Sequence, residues 1–270
     1  MPDEPQEHSL AELDDSMSHS ARIWNYWLGG KDNFEIDRQA GNRIREVLPE
    51  IVEIALATRA FLGRVVRYLA AAEGIRQFLD IGTGLPTVDN THEVAQRVAP
   101  ESRIVYVDND PMVLVHARAL LRGSPEGATD YIDADIGDPK KILSGAARTL
   151  DLTRPVAITM LGILPFIGDD EEAQAIVRTL MDAVPAGSYL AVAHSTSVVT
   201  GTAMEEAVRR WNEVGSARYH LRTPEQIARL FGNLEILDPG VVSCPQWRPD
   251  ILDFHMPRDM DEFCAVGRKP

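Results

Sequence analysis

Two short segments narrow what this chain can fold into more than any other: RQFLDIGTGLP at 76–86 and RIVYVDNDP at 103–111. In the first, the apolar pair Phe78-Leu79 is closed by Asp80 and followed by Gly82 and Gly84, the pattern of a buried strand turning tightly over a ligand. In the second, an apolar run at 104–107 ends in Asp108. Two strands that each end in an acid, the first leading through a glycine turn to a helical stretch, predict a doubly wound α/β sheet. Ligands bind such sheets at the carboxyl ends of the strands. Asp80, Gly82, Thr83, Gly84 and Asp108 are therefore the first site candidates.

The rest of the chain keeps the alternation. Residues 37–48 and 51–72 carry apolar side chains at helical spacing, among them Ile51, Ile54, Ala55, Phe61 and Leu62, and predict two helices broken at Pro49. Further helices are expected at about 90–97, at 112–122 just past Pro111, whose fixed φ suits a first turn, and at 139–150. The helix expected at 169–183 opens on four acids, favourable at a helix N-terminus. One at 201–215 has Met204, Val208 and Trp211 on one side, and another opens at Thr223-Pro224-Glu225 in capped fashion. Strands are expected at 131–133, 156–161, 189–193, 234–237 and 263–266. There is no internal repeat.

The 270 residues suit one domain with an N-terminal extension. Residues 1–20 hold six acids, no Lys or Arg and few apolar side chains, the composition of a disordered acidic tail. At 21–34, ARIWNYWLGGKDNF, the character changes. The segment reads either as a helix end with a Gly cap whose aromatics cover the sheet, or as a lid whose rings and amides close over a ligand. Residues 21–75 are then a helical lid and extension, and 76–270 the α/β core.

Composition excludes a little. A net charge of −14 disfavours a nucleic-acid partner, which needs a basic face to displace counterions from phosphates. Cys244 and Cys264 lie twenty residues apart with no CxxC pair or His cluster beside them, so zinc and a disulfide framework are poor readings and no metal site is expected. No apolar run reaches membrane-spanning length, the N-terminus is acidic where a signal peptide is basic, and a reducing cytoplasm is the expected location.

The chemistry follows from the glycine turn and the acid. In a βαβ unit the turn lets backbone amides approach a ligand, and the acid ending the next strand accepts from both ribose hydroxyls. The dinucleotide pattern needs a third glycine beneath a pyrophosphate, where this chain has Leu85-Pro86-Thr87. Asp80 would also repel a phosphate, yet could hold the ammonium of an amino acid. A nucleoside with an amino-acid tail fits better, and S-adenosylmethionine is one. Asp135-Ile136, at the end of the third strand, stands where an acid can accept from the adenine amino group.

The sequence resembles the class I S-adenosylmethionine-dependent methyltransferases, and more narrowly an actinobacterial methyltransferase family formerly known only as a domain of unknown function. SARIWNYWLGGKDNFEIDRQ at 20–39, FLDIGTGLPT at 78–87, VYVDNDPMVLVHARALL at 105–121 and LRTPEQIARLF at 221–231 carry the resemblance. It implies a Rossmann-like, seven-stranded, mostly parallel sheet with helices on both faces and an antiparallel last strand. It also implies a cofactor spread across Asp80, Gly82, Gly84, Asp108, Asn109, Asp135 and the strand end Met160-Leu161.

Methyl transfer to a heteroatom is an in-line displacement that needs alignment and sometimes a base. His194, after the fifth strand, is the best-placed histidine for a general base. Tyr26 and Asn33 are candidate ligand contacts within the lid, since an aromatic face and amides can both meet a sulfonium. Trp27 and Phe166 are candidates for the acceptor's pocket. Families that methylate adenine or cytosine amino groups carry an Asn- or Asp-Pro-Pro-aromatic turn after the fourth strand, where this chain has LGILPF. That departure, with the charge, argues against a nucleic-acid acceptor and for a small molecule. Two rivals stand beside this reading: a non-catalytic sensor of S-adenosylmethionine or its homocysteine product, and an NAD-dependent oxidoreductase.

Overall fold

The computed structural model describes residues 16–120, 123–214, 217–250 and 258–270. The chain opens with three helices, α1 (Ser20–Trp27), α2 (Glu35–Arg45) and α3 (Ile51–Ala71). The alternation then runs β1 (Gln77–Ile81), α4 (Thr91–Val98), β2 (Arg103–Asp108), α5 (Pro111–Leu120), β3 (Ala128–Asp133), α6 (Pro139–Ala146), β4 (Ala157–Leu161), α7 (Asp170–Asp182) and β5 (Tyr189–Ser195). Two helices, α8 (Thr202–Val214) and α9 (Pro224–Arg229), precede the short strands β6 (Glu235–Ile236) and β7 (Val242–Ser243) and the long β8 (Glu262–Arg268).

The strands form one sheet in the order β3-β2-β1-β4-β5-β8-β6, with β7 pairing on β8 outside that path. β1 to β5 are mutually parallel and β8 is antiparallel to β5. The mostly parallel sheet, the helical faces and the antiparallel last strand are as expected. The additional strand is β7, a Val-Ser pair too short to carry a period in sequence, which is a strand only because β8 lies beside it. Boundaries moved by a few residues elsewhere: β3 begins at Ala128 rather than 131, and α6 ends at Ala146 rather than 150. The expected end of the helix at 112–122 falls partly outside the described residues.

Alternation along the strands sorts the core into two layers. Leu79, Val105, Ile158, Val192 and Ala265 face α6, α7 and α9, while Phe78, Ile104, Ala157, Ala191 and Val266 face α3 and α4. α3 buries ten residues, with Phe61, Val65, Val66 and Leu69 fully enclosed. It is a layer of the sheet domain, so the boundary expected at 75 cuts through one hydrophobic core. The break at Pro49 is present: α2 stops at Arg45 and α3 starts at Ile51.

α1 and α2 form a third cluster with α8, through Ile23, Trp27, Ile44, Met204 and Trp211. Their junction turns on Asp37, whose wholly buried carboxylate accepts from the backbone amides of His19 (2.9 Å) and Phe34 (2.8 Å) and from Arg22 Nε (3.0 Å). Buried charges persist only when paired and hydrogen-bonded in this way. The expected tail at 1–20 is too long at its inner end. Ser18 is 4% exposed and donates to the Val214 carbonyl at 3.0 Å, while residues 1–15 lie outside the described residues.

Candidate functional site

Strand order reverses between β1 and β4, the place where an open α/β sheet leaves a crevice beyond its carboxyl ends. Asp80 lies beside Thr159 of β4 in the parallel register. Its carboxylate accepts from Thr159 (2.7 Å), from Thr91 at the start of α4 (2.6 Å) and, at 3.4 Å, from Thr83. Three hydroxyls hold it at the crevice floor, and among the described residues no cation is hydrogen-bonded to it.

The chain then turns. Gly82 has φ +74° and Gly84 φ +64°, conformations that side chains with a Cβ rarely adopt. A Cβ on Gly82 would stand 2.6 Å from Ile163, whereas one on Gly84 would meet only open space within 4 Å beyond its chain neighbours. The Gly84 amide donates to Asp108 Oδ2 at 2.8 Å, and the Asp110 amide donates to Oδ1 at 3.0 Å. Glycine turn and acid are thus one hydrogen-bonded unit. Burial pushes the Asp108 carboxyl above the usual carboxylate range, with the two amides pulling it back. Each oxygen keeps a lone pair for a further donor.

Above this floor lies a cleft with a volume of about 140 Å³, open to solvent at its mouth. Two helices supply its other walls, each through one face. α1, continued by its cap, presents Ala21, Trp24, Asn25 and Leu28, and α3 presents Ala55, Thr58, Arg59 and Leu62. Both sets follow the spacing i, i+3, i+4, i+7 of a single helical stripe. Arg59 is the one cation lining the cleft among the described residues. Its guanidinium is engaged by the Val88 carbonyl and Asn90 Oδ1.

Of the residues expected at the site, Asp80, Gly82, Thr83, Gly84, Asp108, Asn109, Leu161 and Phe166 line this cleft. Asp135 stands one step back, accepting from Asn109 Nδ2 and from the Gly137 amide, both at 2.8 Å. Ile136 and Met160 belong to the buried core on the α6/α7 face, Met160 because strand alternation turns it away from Leu161. Tyr26 and Asn33 do not line the cleft. Tyr26 donates to Asn42 Oδ1 at 2.9 Å, tying α1 to α2, and Asn33 donates to Asn25 Oδ1 at 2.8 Å, fixing a residue that does line it. Trp27 packs between Trp24 and Trp211, off the cleft.

His194 is corrected. It lies inside β5 rather than after it, fully buried. A guanidinium can only donate, so Nε2 accepts from Arg222 (2.8 Å) and the ring proton sits on Nδ1, facing the Ser195 carbonyl (2.9 Å). Burial, with Arg222 adding to it, pushes the ring down to about 3. No lone pair is left for a substrate's proton. His194 and Arg222 instead pin the turn at 164–170, where Arg222 also donates to the carbonyls of Leu164 and Ile167 and to Asp170.

Trp24, Asn25, Thr58 and Arg59 are lining residues that the sequence reading missed. The signal was present in the two helical stripes, but a stripe says which residues share a face and not what that face meets. A further tie was invisible. His19 Nδ1, just before α1, lies 2.9 Å from Asp110 Oδ2, against 3.4 Å from the Ala21 amide, so the shorter contact fastens the lid to the loop that carries Asp108.

Residues 6–270 match the S-adenosyl methyltransferase family. Two crystal structures are similar over nearly the whole chain. One is a DUF574 family protein from Streptomyces avermitilis, 43% identical, covering 95% of this chain and 99% of its own, with a TM-score of 0.91. The other is a proposed methyltransferase from Thermobifida fusca, 41% identical, covering 95% and 97%, with a TM-score of 0.86. An S-adenosylmethionine-dependent methyltransferase from Anabaena variabilis, 16% identical over 75% of this chain and 80% of its own at a TM-score of 0.51, shares the fold. No curated protein matches the chain in sequence.

Proposed function

The chain belongs to the S-adenosyl methyltransferase family, and from that premise we propose that its cleft holds S-adenosylmethionine on Asp80, the Gly82–Gly84 turn, Asp108 and Asn109 for methyl transfer to a small-molecule acceptor. The observation that carries this reading is the single unit formed by the Gly84 amide and the Asp108 carboxylate at the head of the cleft. The donor set suits the ligand: Asp108 has lone pairs left for the ribose hydroxyls, and Asp80 favours the ammonium of the methionine part. A Cβ on Gly84 would fill space that a closely approaching ligand needs.

Bound there, the cofactor supplies a methyl group made electrophilic by a sulfonium. Trp24 turns an aromatic ring toward the cleft, which attracts positive charge. Asp135 holds the Asn109 amide, and through it orients the edge that meets adenine. The two lining carboxylates, Asp80 and Asp108, are assigned to the cofactor in this reading, so the protein's contribution at this cleft is alignment and exclusion of water. The setting that suits two buried free thiols, Cys244 and Cys264, is a reducing cytoplasm. Among the described residues no helix is long and apolar enough to cross a membrane.

Calorimetric titration of the ligand-stripped protein with S-adenosylmethionine, S-adenosylhomocysteine and NAD tests this. Binding of the first two and not the third is expected. Binding of NAD alone would overturn it. S-adenosylhomocysteine accumulating only when an acceptor is added separates the enzyme from a sensor that merely binds.

A further inference from the structure

Two opposite charges line the cleft and are not paired with each other. Arg59 of α3 and Asp80 of β1 both border it, yet each is bonded to neutral partners. Arg59 donates through Nη2 to the Val88 carbonyl (3.1 Å) and to Asn90 Oδ1 (3.0 Å), and through Nε to the Val88 carbonyl (3.3 Å). Those bonds occupy one edge of the guanidinium, and Nη1 makes no hydrogen bond among the described residues. On the acid, Oδ2 accepts from Thr91 and Thr83, while Oδ1 accepts from Thr159 alone and keeps a lone pair.

The anchor of Arg59 is itself fixed. Asn90 caps α4, donating through Nδ2 to the Thr87 carbonyl (2.7 Å) and accepting at Oδ1 from the Thr87 amide (3.1 Å), while its own amide donates to Glu93 Oε2 (2.8 Å). The guanidinium therefore bridges α3 to the loop that leads from the glycine turn to α4, and Thr87 of that loop lines the same cleft. Burial pulls the Arg59 pKa down, and the charge of Asp80 does most to oppose it, so the two groups act on each other across the cleft. Charges withdrawn from water persist where partners satisfy them. Here a cation with a free donor edge and an anion with a free lone pair share one space.

We propose that Arg59 binds the α-carboxylate of the cofactor's methionine part while Asp80 takes its α-ammonium, so that this end of the cleft is a receptor for a zwitterionic amino acid. The inference rests on the S-adenosylmethionine reading of the cleft and deepens it. A bare nucleoside brings no charge to either group, and a phosphate drawn to Arg59 would be repelled by Asp80. A head that carries both signs satisfies both. The consequence is selectivity: a relative of the cofactor that has lost its carboxylate leaves the Arg59 edge unpaired and sets a second cation beside it. Arginine suits this task better than lysine, because one edge of its planar fork grips Val88 and Asn90 while the remaining donors face the ligand.

Calorimetry on the full chain with three ligands tests this: S-adenosylhomocysteine, its decarboxylated analogue, which keeps the amine, and methylthioadenosine, which lacks both groups. The wild type should bind S-adenosylhomocysteine about ten- to a hundredfold more tightly than the decarboxylated analogue, as expected for a hydrogen bond between charged groups. Arg59→Met should weaken S-adenosylhomocysteine by about that factor, leave methylthioadenosine unchanged and let the decarboxylated analogue bind no worse. Arg59→Lys, which keeps the charge and loses the fork, should fall between. An arginine that only braces the loop would, when replaced, weaken all three ligands alike. Equal losses of all three in Arg59→Met would overturn the proposal, as would a wild type that binds S-adenosylhomocysteine and its decarboxylated analogue equally, a comparison that needs no variant to fold. If the wild type binds all three equally, the cofactor site stands without its amino-acid receptor. If it binds none, the proposed function falls and this inference with it.

Discussion

Asp108 shows how much of the site one residue carries. Its carboxylate is buried, closes the glycine turn through Gly84 and caps its own loop through Asp110. Asp108→Asn keeps the shape and one amide bond, but replaces an acceptor-only group with one that has a single acceptor oxygen. Hydrogen bonds to a charged group contribute about 1.5–3 kcal/mol, so affinity for S-adenosylmethionine should fall roughly ten- to a hundredfold. One of the two buried amides, Gly84 or Asp110, then faces the new NH2 group without an acceptor, so the thermal midpoint should also fall by a few degrees. Unchanged affinity by calorimetry would remove Asp108 from the site. His194 teaches the opposite lesson at this scale. A histidine at the carboxyl edge of a sheet has the right address for a base, and two hydrogen bonds give it another occupation.

The element that decides access is α1. It is a short helix, eight residues, and short helices are marginal alone. Its order comes from packing against α2 and α8 and from two ties at its start, the Asp37 hub and the His19–Asp110 contact. The His19 side chain is about a quarter exposed, so solvent screens the pair and it contributes at most ~1 kcal/mol. His19→Ala should therefore leave the protein folded, weaken S-adenosylmethionine binding a few-fold and speed amide hydrogen exchange across residues 20–27. Exchange there at the wild-type rate would show that the tie does not hold the lid. α3 behaves differently, because its inner face is core: one stripe lines the cleft, and another, with Phe61 and Val65, covers the sheet.

At the scale of the whole molecule, stability depends on what the core encloses. Burial pushes the Glu262 carboxyl up to about 8, Asp261 adding to it and the Ser195 hydrogen bond opposing it. A raised carboxyl keeps its proton in the folded state after the unfolded chain has lost it, so its stabilising share is complete below about 4.5 and disappears as pH climbs through 8. Buried neutral His194 acts in the other direction, but only below its unfolded value of 6.5. Between pH 6.5 and 8 the Glu262 contribution should lower stability by up to roughly 1.4 kcal/mol per unit. Denaturant melts of Glu262→Gln should be flatter than wild type across that window. Equal slopes would mean that the carboxyl titrates near its ordinary value.

What the sequence determined by itself is the frame: the order of strands and helices, the strand ends at Asp80 and Asp108, the glycine turn between them and the aromatic segment before it. These are local properties, set by periodicity, by φ values that only glycine adopts easily and by runs of apolar residues. Tertiary structure decided which side of each element meets which neighbour. It drew Leu161 into the cleft and turned Met160 into the core, made Asn33 the support of Asn25, and set Trp24 and Arg59 opposite the glycine turn from helices far away in the chain. It also enclosed Glu262 behind Ser195 and Tyr219. Contacts between residues dozens to hundreds of positions apart exist only once the layers have packed, and no spacing along the chain encodes them.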